Sequence, residues 1–348
     1  MLDFLRHLLD RTFLDPRAPQ VHAITNLFWV GATVATIILL IPSSTLIYTM
    51  IRFRHRPGQG DPPPVYGNHK LEITWTVVPL VIVLGIFGLS VSAMRLSSPS
   101  TDPPPRQTAA ITVIGHQWWW EIRYPSGVVT ANEIHIPTHQ QLLVDLKSAD
   151  VVHGFWVPQV ASQMYLEPGQ TNQIWLQADR AGTYLGQCAE FCGSAHAWML
   201  LRVVAQPPAA FKAWQRAQLG RAIGPSVTTG KTSTQTIAEG AQPATQTPTR
   251  ETGANASEFA QGAKLFQQLS CQVCHAIDGT AAHGVVGPNL THFGGRQSLA
   301  AGRLSNTPTH LATWLRNPDA LKPGVHMPNL LLTDPQIRAL TTYLEGLK

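Results

Sequence analysis

The chain has 348 residues, and its 25 Lys and Arg against 20 Asp and Glu give a formal net charge of +5. This charge comes partly from one loop between two apolar runs, and no basic stripe alternates with stacking aromatic residues, which argues against a nucleic-acid-binding protein. No convincing glycine-rich phosphate loop, nucleophile elbow or paired-carboxylate motif is present, so the common nucleotide-binding and hydrolytic classes are also disfavoured.

The N-terminal third predicts a membrane anchor. Apolar runs without Asp, Glu, Lys or Arg extend from Ile24 to Ile51 and from Ile73 to Met94, and each exceeds the roughly 20 residues that a helix needs to cross hydrocarbon. We therefore predict a transmembrane hairpin over residues 24–95. Charged residues interleave with Leu and Phe over residues 1–23, which predicts an interfacial amphipathic segment and no clear cleaved signal peptide, although processing before residue 24 stays open.

The loop between the two runs sets the predicted orientation. It carries Arg52, Arg54, Arg56 and Lys70, and the positive-inside rule places such a loop in the cytoplasm. Both termini then face outward, which predicts a two-pass protein of the bacterial inner membrane with its remaining residues on the periplasmic side.

Residues 106–218 predict a β domain. Short segments rich in Ile, Val and Thr are separated by Gly, Pro and Asn, a pattern that favours an antiparallel barrel or sandwich. The segments are Ile111 to Ile114, Gln141 to Leu146, Gln173 to Leu176 and Leu200 to Val204.

One short loop of this domain concentrates metal-binding side chains. It reads Cys188-Ala-Glu-Phe-Cys192-Gly-Ser-Ala-His196-Ala-Trp-Met199. Thiolate and thioether are soft ligands, so two Cys, a His and a Met favour copper over magnesium, calcium or manganese. Zinc is the main rival but seldom recruits Met, and a disulfide between Cys188 and Cys192 is the non-metal alternative.

The remaining residues predict a linker and a second redox domain. Residues 219–256 are rich in Thr, Gln, Gly and Pro from Val227 onward, so we expect a flexible tether. A helical domain follows over residues 257–348. It contains Cys271-Gln-Val-Cys274-His275, the motif that attaches haem c through two thioethers and supplies His as iron ligand. Covalent haem attachment also implies the outer side of an energy-transducing membrane.

The sixth iron ligand is predicted by elimination among the methionines. The chain has six Met, and Met327 is the only one after Met199. Its place between His326 and a proline, well after the haem motif, resembles class I cytochromes c, where His/Met ligation raises the potential. The histidines at 326, 283, 292 and 310 remain alternatives. The run Gly287–Leu290 also resembles that family, whose Pro carbonyl accepts the proton of the iron-bound His.

The cysteine loop resembles the copper A loop of cytochrome c oxidase subunit II. Residues 148–158 are similar to the upstream segment of that family, which makes His153 a ligand by resemblance. The resemblance implies a cupredoxin-like fold and a centre of two copper ions bridged by the sulfurs of Cys188 and Cys192. It also implies the following further ligands: His196, Met199 and the backbone carbonyl of Glu190. The Glu190 side chain would face a magnesium ion shared with the catalytic subunit.

Two further residues acquire roles from the same resemblance. Residues 115–120 resemble the aromatic patch of the family, with Trp119 in place of Tyr, so Trp118 would lie at the surface above the copper and receive electrons. The alternative for Trp118 is core packing. Glu72 begins the second apolar run, where the family has a carboxylate at the mouth of a proton path. The alternative for Glu72 is a helix-start carboxylate stabilised by the helix dipole.

The resemblance covers nearly the whole chain, and it implies subunit II of a haem-copper terminal oxidase with a fused class I cytochrome c. Electrons would pass from an external donor, such as a soluble or membrane cytochrome c or a cytochrome bc-type complex, to haem c, copper A and then subunit I. That partner, with the other oxidase subunits, would reduce oxygen and translocate protons. Alternatives are a nitric oxide reductase subunit or a membrane-tethered relay without an oxidase partner. Quinol oxidases are disfavoured because their subunit II lacks the copper ligands.

Overall fold

The chain is arranged as a pair of long helices, a β-sandwich and a C-terminal helical domain, and this confirms the predicted fold class. The structure is a computed structural model that describes residues 12–54, 58, 64, 66–97, 109–220 and 253–348. The predicted linker beyond residue 220 therefore falls mostly outside the described residues, as does most of the loop that joins the two apolar runs.

The two long helices are α1, Pro19–Arg52, and α2, His69–Ser97. Both are long and apolar enough to cross a membrane, and they pack side by side. Most of their large apolar side chains are exposed to the surroundings, as expected of helices that face lipid or other membrane subunits. Helix α1 begins five residues before the predicted span because its first turn is buried against the β-sandwich.

The attachment of α1 to the β-sandwich is polar as well as apolar. Gln20 is buried and its side-chain amide donates to the backbone carbonyl of Val160 at 2.9 Å. Just before the helix, the amide of Arg17 donates to the carbonyl of Gln159, and its own carbonyl accepts from the amide of Asp179, both at 2.8 Å. Residues 12–18 thus lie along the sandwich. The charged residues that predicted an interfacial helix lie in residues 1–11, outside the described residues.

Ten strands form the β-sandwich as two five-stranded sheets, with orders β3-β2-β1-β5-β8 and β4-β10-β9-β6-β7. Side chains alternate between core and surface, as in β1, where Ile111 and Val113 are buried and Thr112 is partly exposed. The strands are β1 Ile111–His116, β2 Trp119–Arg123, β3 Val129–Ala131, β4 Glu133–Pro137, β5 Leu142–Ser148, β6 His153–Val157, β7 Ala161–Leu166, β8 Asn172–Leu176, β9 Gly182–Cys188 and β10 Leu200–Gln206.

Strand pairing is mostly antiparallel, as predicted, but each sheet also contains one parallel pair. Strand β1 pairs in parallel with β5, and β4 pairs in parallel with β10. The chain crosses to the opposite sheet at β4 before it returns at β5, and such crossovers let neighbouring strands run in the same direction. The four segments predicted as strands lie within β1, β5, β8 and β10, apart from Gln141, which precedes β5 by one residue.

Helix α3, Pro208–Gln218, follows the sandwich, and the C-terminal domain then contains five helices among its described residues. These are α4 Gly253–Gln268, α5 Cys271–Cys274, α6 Pro308–Arg316, α7 Pro318–Leu321 and α8 Asp334–Glu345. Helices α4 and α8 cross closely at Gly262, where an added Cβ would lie 2.1 Å from the carbonyl oxygen of Ala339. Two ribbons of two-residue strands, Ala276–Ile277 with Ala282–His283 and Ser298–Leu299 with Leu304–Ser305, were not predicted.

The C-terminal domain packs directly on the β-sandwich. The carbonyl of Ala301 accepts a hydrogen bond from the backbone amide of Leu200 at 3.1 Å. The side chain of Ala301 packs with Trp119 and Ala131 in a small buried cluster. The guanidinium of Arg303 lies 3.6 Å from the ring centre of Trp198. Since Trp198 and Leu200 flank Met199, these contacts place the C-terminal domain beside the predicted metal loop.

Candidate metal centres

The β-sandwich brings the predicted copper ligands together from two strands and one loop. Cys188 is the last residue of β9, and His153 is the first residue of β6; these strands pair with Phe155 opposite Cys188. The chain then turns back through Cys192 and a 3-10 turn that starts at His196, and reaches β10. Neighbouring strand ends therefore bring His153 and Cys188, which are 35 residues apart in sequence, to 3.9 Å between Nδ1 and Sγ.

The sulfur and imidazole atoms form one buried cluster. The Sγ atoms of Cys188 and Cys192 lie 3.8 Å apart and both thiols are free, so the disulfide alternative is wrong. The Nδ1 atom of His153 lies 3.9 Å from Cys188 Sγ, and that of His196 lies 3.5 Å from Cys192 Sγ. One imidazole thus approaches each sulfur, as a two-metal centre with bridging sulfurs would require.

Two further donors complete the set that the sequence predicted. The Sδ atom of Met199, which is fully buried, lies 3.8 Å from Cys192 Sγ. The backbone carbonyl of Glu190 lies 3.2 Å from Cys188 Sγ. A donor set of two thiolates, a thioether, two imidazoles and a carbonyl is soft and rich in sulfur, so the residues present fit copper.

The electrostatics favour a deprotonated sulfur at the centre of this cluster. Hydrogen bonds with the Cys192 thiol and with His153 hold the pKa of the Cys188 thiol well below its usual range. Burial alone would lower the pKa of His153, but its bonds to Cys188 and Asp150 outweigh burial and raise it. Thiolate is the form of cysteine that binds metals.

Asp150, which no sequence motif singles out, orients one of the predicted copper ligands. Its carboxylate accepts a hydrogen bond from His153 Nε2 at 2.7 Å and another from the backbone amide of Gln117 at 2.6 Å. The first bond fixes the proton on Nε2 and leaves Nδ1 free to bind a metal. Its position three residues before His153, within the matching segment, was the available signal.

Trp118 touches the metal loop but is not at the surface. Its indole Nε1 donates to the backbone carbonyl of Cys192 at 2.9 Å. Only 6% of the residue is exposed, because the ring of His326 packs on it with 4.6 Å between ring centres. The expectation of a surface position is therefore wrong, since the C-terminal domain covers this tryptophan.

The haem motif in α5 is oriented by the loop that follows it. Nδ1 of His275 donates to the Pro288 carbonyl at 2.8 Å, as the resemblance predicted, which leaves Nε2 free to bind iron. Gly287 permits this contact, because an added Cβ would lie 2.6 Å from His275 Cε1. Burial lowers the pKa of His275 and so favours the neutral imidazole that binds iron. With free thiols at Cys271 and Cys274, the residues present fit a covalently attached haem.

The residues proposed for the sixth iron position point in different directions. Met327 packs against the apolar core of the C-terminal domain, whereas His326 packs on Trp118 of the sandwich. Nε2 of His292 lies 3.1 Å from the Gln218 carbonyl, and Nδ1 of His310 lies 2.9 Å from the Ser305 carbonyl. These placements favour Met327 over His326, His292 and His310.

Glu72 lies in the first turn of α2, far in sequence from both centres. Its carboxylate accepts from the backbone amide of Asn68 at 3.3 Å and lies 3.2 Å from Nδ1 of His69. The residue therefore stabilises the start of its helix, and it also presents an ionisable group at the end of a membrane-length helix.

Three protein-family models match successive parts of the chain. The transmembrane domain of cytochrome c oxidase subunit II matches residues 8–92, and the periplasmic domain of the same subunit matches residues 126–206. Cytochrome c matches residues 259–348. The matches follow the order of the two helices, the sandwich and the C-terminal domain.

Curated relatives give the same result over nearly the whole chain. Cytochrome c oxidase subunit 2 of Alkalihalophilus pseudofirmus is 32% identical over 97% of this chain and 91% of its own length. The subunit of the same name from Bacillus subtilis is 30% identical over 86% and 82%. Quinol oxidase subunit 2 of Bacillus cereus is 30% identical over only 58% of this chain and 70% of its own length.

Among solved structures, the periplasmic domain of cytochrome oxidase subunit II from Bradyrhizobium japonicum is 26% identical. It covers 33% of this chain and 96% of its own, with a TM-score of 0.32. The family matches imply that the chain binds copper A and haem c, and His153, Cys188 and Cys192 form a group that could hold a metal ion. The chain belongs to the cytochrome c oxidase subunit II family and carries a cytochrome c domain at its C-terminal end.

Proposed function

We propose that this chain carries electrons from an external donor through haem c to a binuclear copper A centre and on to subunit I of a haem-copper oxidase. The contact of His326 with Trp118 carries the proposal. It places the residue next to Met327 on an indole that is hydrogen-bonded to the backbone of a copper ligand. Electron transfer between cofactors requires such short, buried connections.

The residues of this chain would hold the two cofactors and tune their surroundings. The cysteines, histidines, Met199 and the Glu190 carbonyl would hold two copper ions, and Cys271, Cys274, His275 and Met327 would hold the haem. When bound, each cofactor supplies a one-electron redox couple. A β-sandwich keeps its ligand geometry nearly fixed between oxidation states, because its strands are tied by ladder hydrogen bonds.

The membrane side of the proposal concerns partners and orientation. With α1 and α2 in the bacterial inner membrane, both ligand clusters would lie on the periplasmic side, and copper A would pass electrons to the oxygen-reducing subunit I. Glu72 would take up protons from the cytoplasmic side, and the Glu190 side chain would share a magnesium ion with subunit I. The complex would reduce oxygen to water and translocate protons.

An optical reduced-minus-oxidised spectrum of the native complex, isolated through a tag on this chain, tests the proposal. We expect a haem c band together with a haem a band from subunit I. Haem b and c without haem a would favour a nitric oxide reductase or a b-type oxidase. Haem c alone, with no co-purifying haem protein, would contradict the oxidase partnership and leave a tethered relay.

A further inference from the structure

A buried carboxylate of the β-sandwich is bound entirely by the C-terminal domain. Glu133 begins β4 and is 1% exposed. Its two oxygens accept from the backbone amide of Gln297 at 3.1 Å and from the amide and hydroxyl of Ser298 at 2.7 and 2.9 Å. Within the described residues, all three of these donors belong to the C-terminal domain. A buried carboxylate without such donors would be costly, so the two domains depend on each other here.

The bound segment leads directly to the iron ligand. Arg296, next to Gln297, interacts electrostatically with Glu133 and donates a hydrogen bond to the Asn289 carbonyl. Asn289 follows Pro288, whose carbonyl accepts from His275. A short series of polar contacts therefore connects a strand of the sandwich with the residue that would orient the haem.

The C-terminal domain also contacts the copper loop at the residues on both sides of Met199. Ala301 accepts from the Leu200 amide, and Arg303 lies over the Trp198 ring. Near the loop, Gly324 comes so close to Ser194 that an added Cβ would lie 2.6 Å from the serine Cβ. The interface thus surrounds the ligand loop with close packing and is anchored by one buried carboxylate.

We infer that Glu133 is a positioning residue that clamps the C-terminal domain on the β-sandwich in a single orientation for electron transfer. The inference rests on the proposed function and changes how the linker is understood. A tethered domain that searches for its partner would transfer electrons only after docking. A clamped domain keeps His326 on Trp118 at all times, so transfer needs no large motion. It also keeps Trp118 covered, and an external donor would have to reduce the C-terminal domain.

Amide hydrogen exchange of the full chain in its native complex tests the clamp without any electron transfer. In wild type we expect strong protection of the Gln297, Ser298 and Leu200 amides, since all three donate across the interface. Glu133→Gln should speed their exchange about tenfold or more, the effect expected for loss of a charge-assisted hydrogen bond. Glu167→Gln removes the same charge after β7, at the opposite edge of the sheet from β4, and should leave exchange unchanged.

Ser298→Ala changes the same contact from the side of the C-terminal domain, so the clamp can still be tested if the Glu133 variant fails to fold. It removes the hydroxyl donor and should speed exchange of the Leu200 amide by a smaller factor. Equal exchange rates of these amides in Glu133→Gln, Ser298→Ala and Glu167→Gln would show that Glu133 does not clamp the two domains. Haem c and copper spectra of each variant should match wild type, which separates loss of docking from loss of a cofactor.

A second experiment photoreduces haem c and measures the rate of electron transfer to copper at increasing solvent viscosity. We expect a rate independent of viscosity in wild type and Glu167→Gln, and a slower, viscosity-dependent rate in Glu133→Gln. A wild-type rate that falls with viscosity would overturn the clamp while leaving the electron path intact. Absence of any transfer from haem c to copper would instead contradict the proposed function.

Discussion

The indole of Trp118 and the backbone carbonyl of Cys192 are joined by a hydrogen bond of 2.9 Å. The side-chain amide of Gln117 donates to the same carbonyl at 2.7 Å. The first bond links a buried aromatic ring to the residue that lies nearest both His196 and Met199 in the copper cluster. It gives Trp118 a specific connection to the ligands, beyond ordinary core packing.

Replacing Trp118 by Phe should slow electron transfer from haem c to copper, because the ring remains but its link to Cys192 is lost. Trp175→Phe on β8, at an edge of the sheet that also contains β1 and β2, is the matched control and should have no effect. Flash photoreduction of haem c in the purified complex measures both. Transfer at the wild-type rate in Trp118→Phe would reject the role of the indole.

Asp150→Asn should weaken copper binding about 10-fold to 100-fold, the usual effect of removing a carboxylate that orients a metal-binding histidine. Titration with a copper chelator, followed by the copper absorption band, measures the affinity. Asp145→Asn is the control, since that carboxylate accepts from Gln173 on the outer part of the sheet. If the two variants hold copper equally well, Asp150 has no part in the centre.

Met327→Ala should lower the midpoint potential of haem c, because a thioether ligand favours the reduced iron. His326→Ala should leave the potential nearly unchanged, since its ring packs on Trp118. Optical redox titration compares the two variants. An unchanged potential in the first and a large shift in the second would identify His326 as the ligand.

Docking of the two domains should strengthen as the pH rises above 7, because of Lys322. This lysine is 2% exposed, its Nζ donates to the Trp118 carbonyl, and burial lowers its pKa to about 7. In the undocked state the amine is exposed and has its ordinary pKa of about 10.4. Between these values only the undocked state binds the proton, so rising pH favours docking by up to about tenfold per unit. Below pH 7 both states are protonated and the dependence disappears.

Exchange of the Leu200 amide, corrected for the intrinsic pH dependence of exchange, measures this docking from pH 6 to 9. Lys322→Met removes the titrating group and should give a flat profile over the same range. A wild-type profile as flat as that of the variant would show that the buried amine does not titrate with docking.

Glu72→Gln should reduce turnover and proton uptake of the oxidase in vesicles. The amide side chain can still accept from Asn68 and keep the helix start, so the loss would report on the ionisable group. His69→Gln removes its neighbour and serves as the control. Full turnover in Glu72→Gln would assign the residue to helix capping alone.

The ligand motifs and the long apolar runs were predictable because their information is local. A Cys-x-x-Cys-His motif indicates haem c attachment and a run of 20 apolar residues indicates a membrane-spanning helix, and each can be recognised within one short stretch of sequence. The same holds for four of the ten strands of the sandwich, which are short segments rich in Ile, Val and Thr between turn residues.

Glu133 and Lys322 could not be found in this way. Glu133 meets Ser298 at a separation of 165 residues, and Lys322 meets Trp118 at a separation of 204. Their roles arise only when two domains dock, and neither residue stands in a recognisable motif. The burial of Trp118 was missed for the same reason, since its covering residue belongs to the other domain.

The burial of Gln20 attaches the start of the first helix to the β-sandwich. Helix α1 has 34 residues, which corresponds to a rod of about 51 Å, whereas the hydrocarbon layer is about 30 Å thick. Its first turn is hydrogen-bonded to the β-sandwich at the Val160 carbonyl, which fixes the start of the helix relative to the sandwich that carries the copper ligands. We therefore expect the length of this helix to set the height of the copper ligands above the lipid, and with it their distance from the redox centre of the proposed partner subunit.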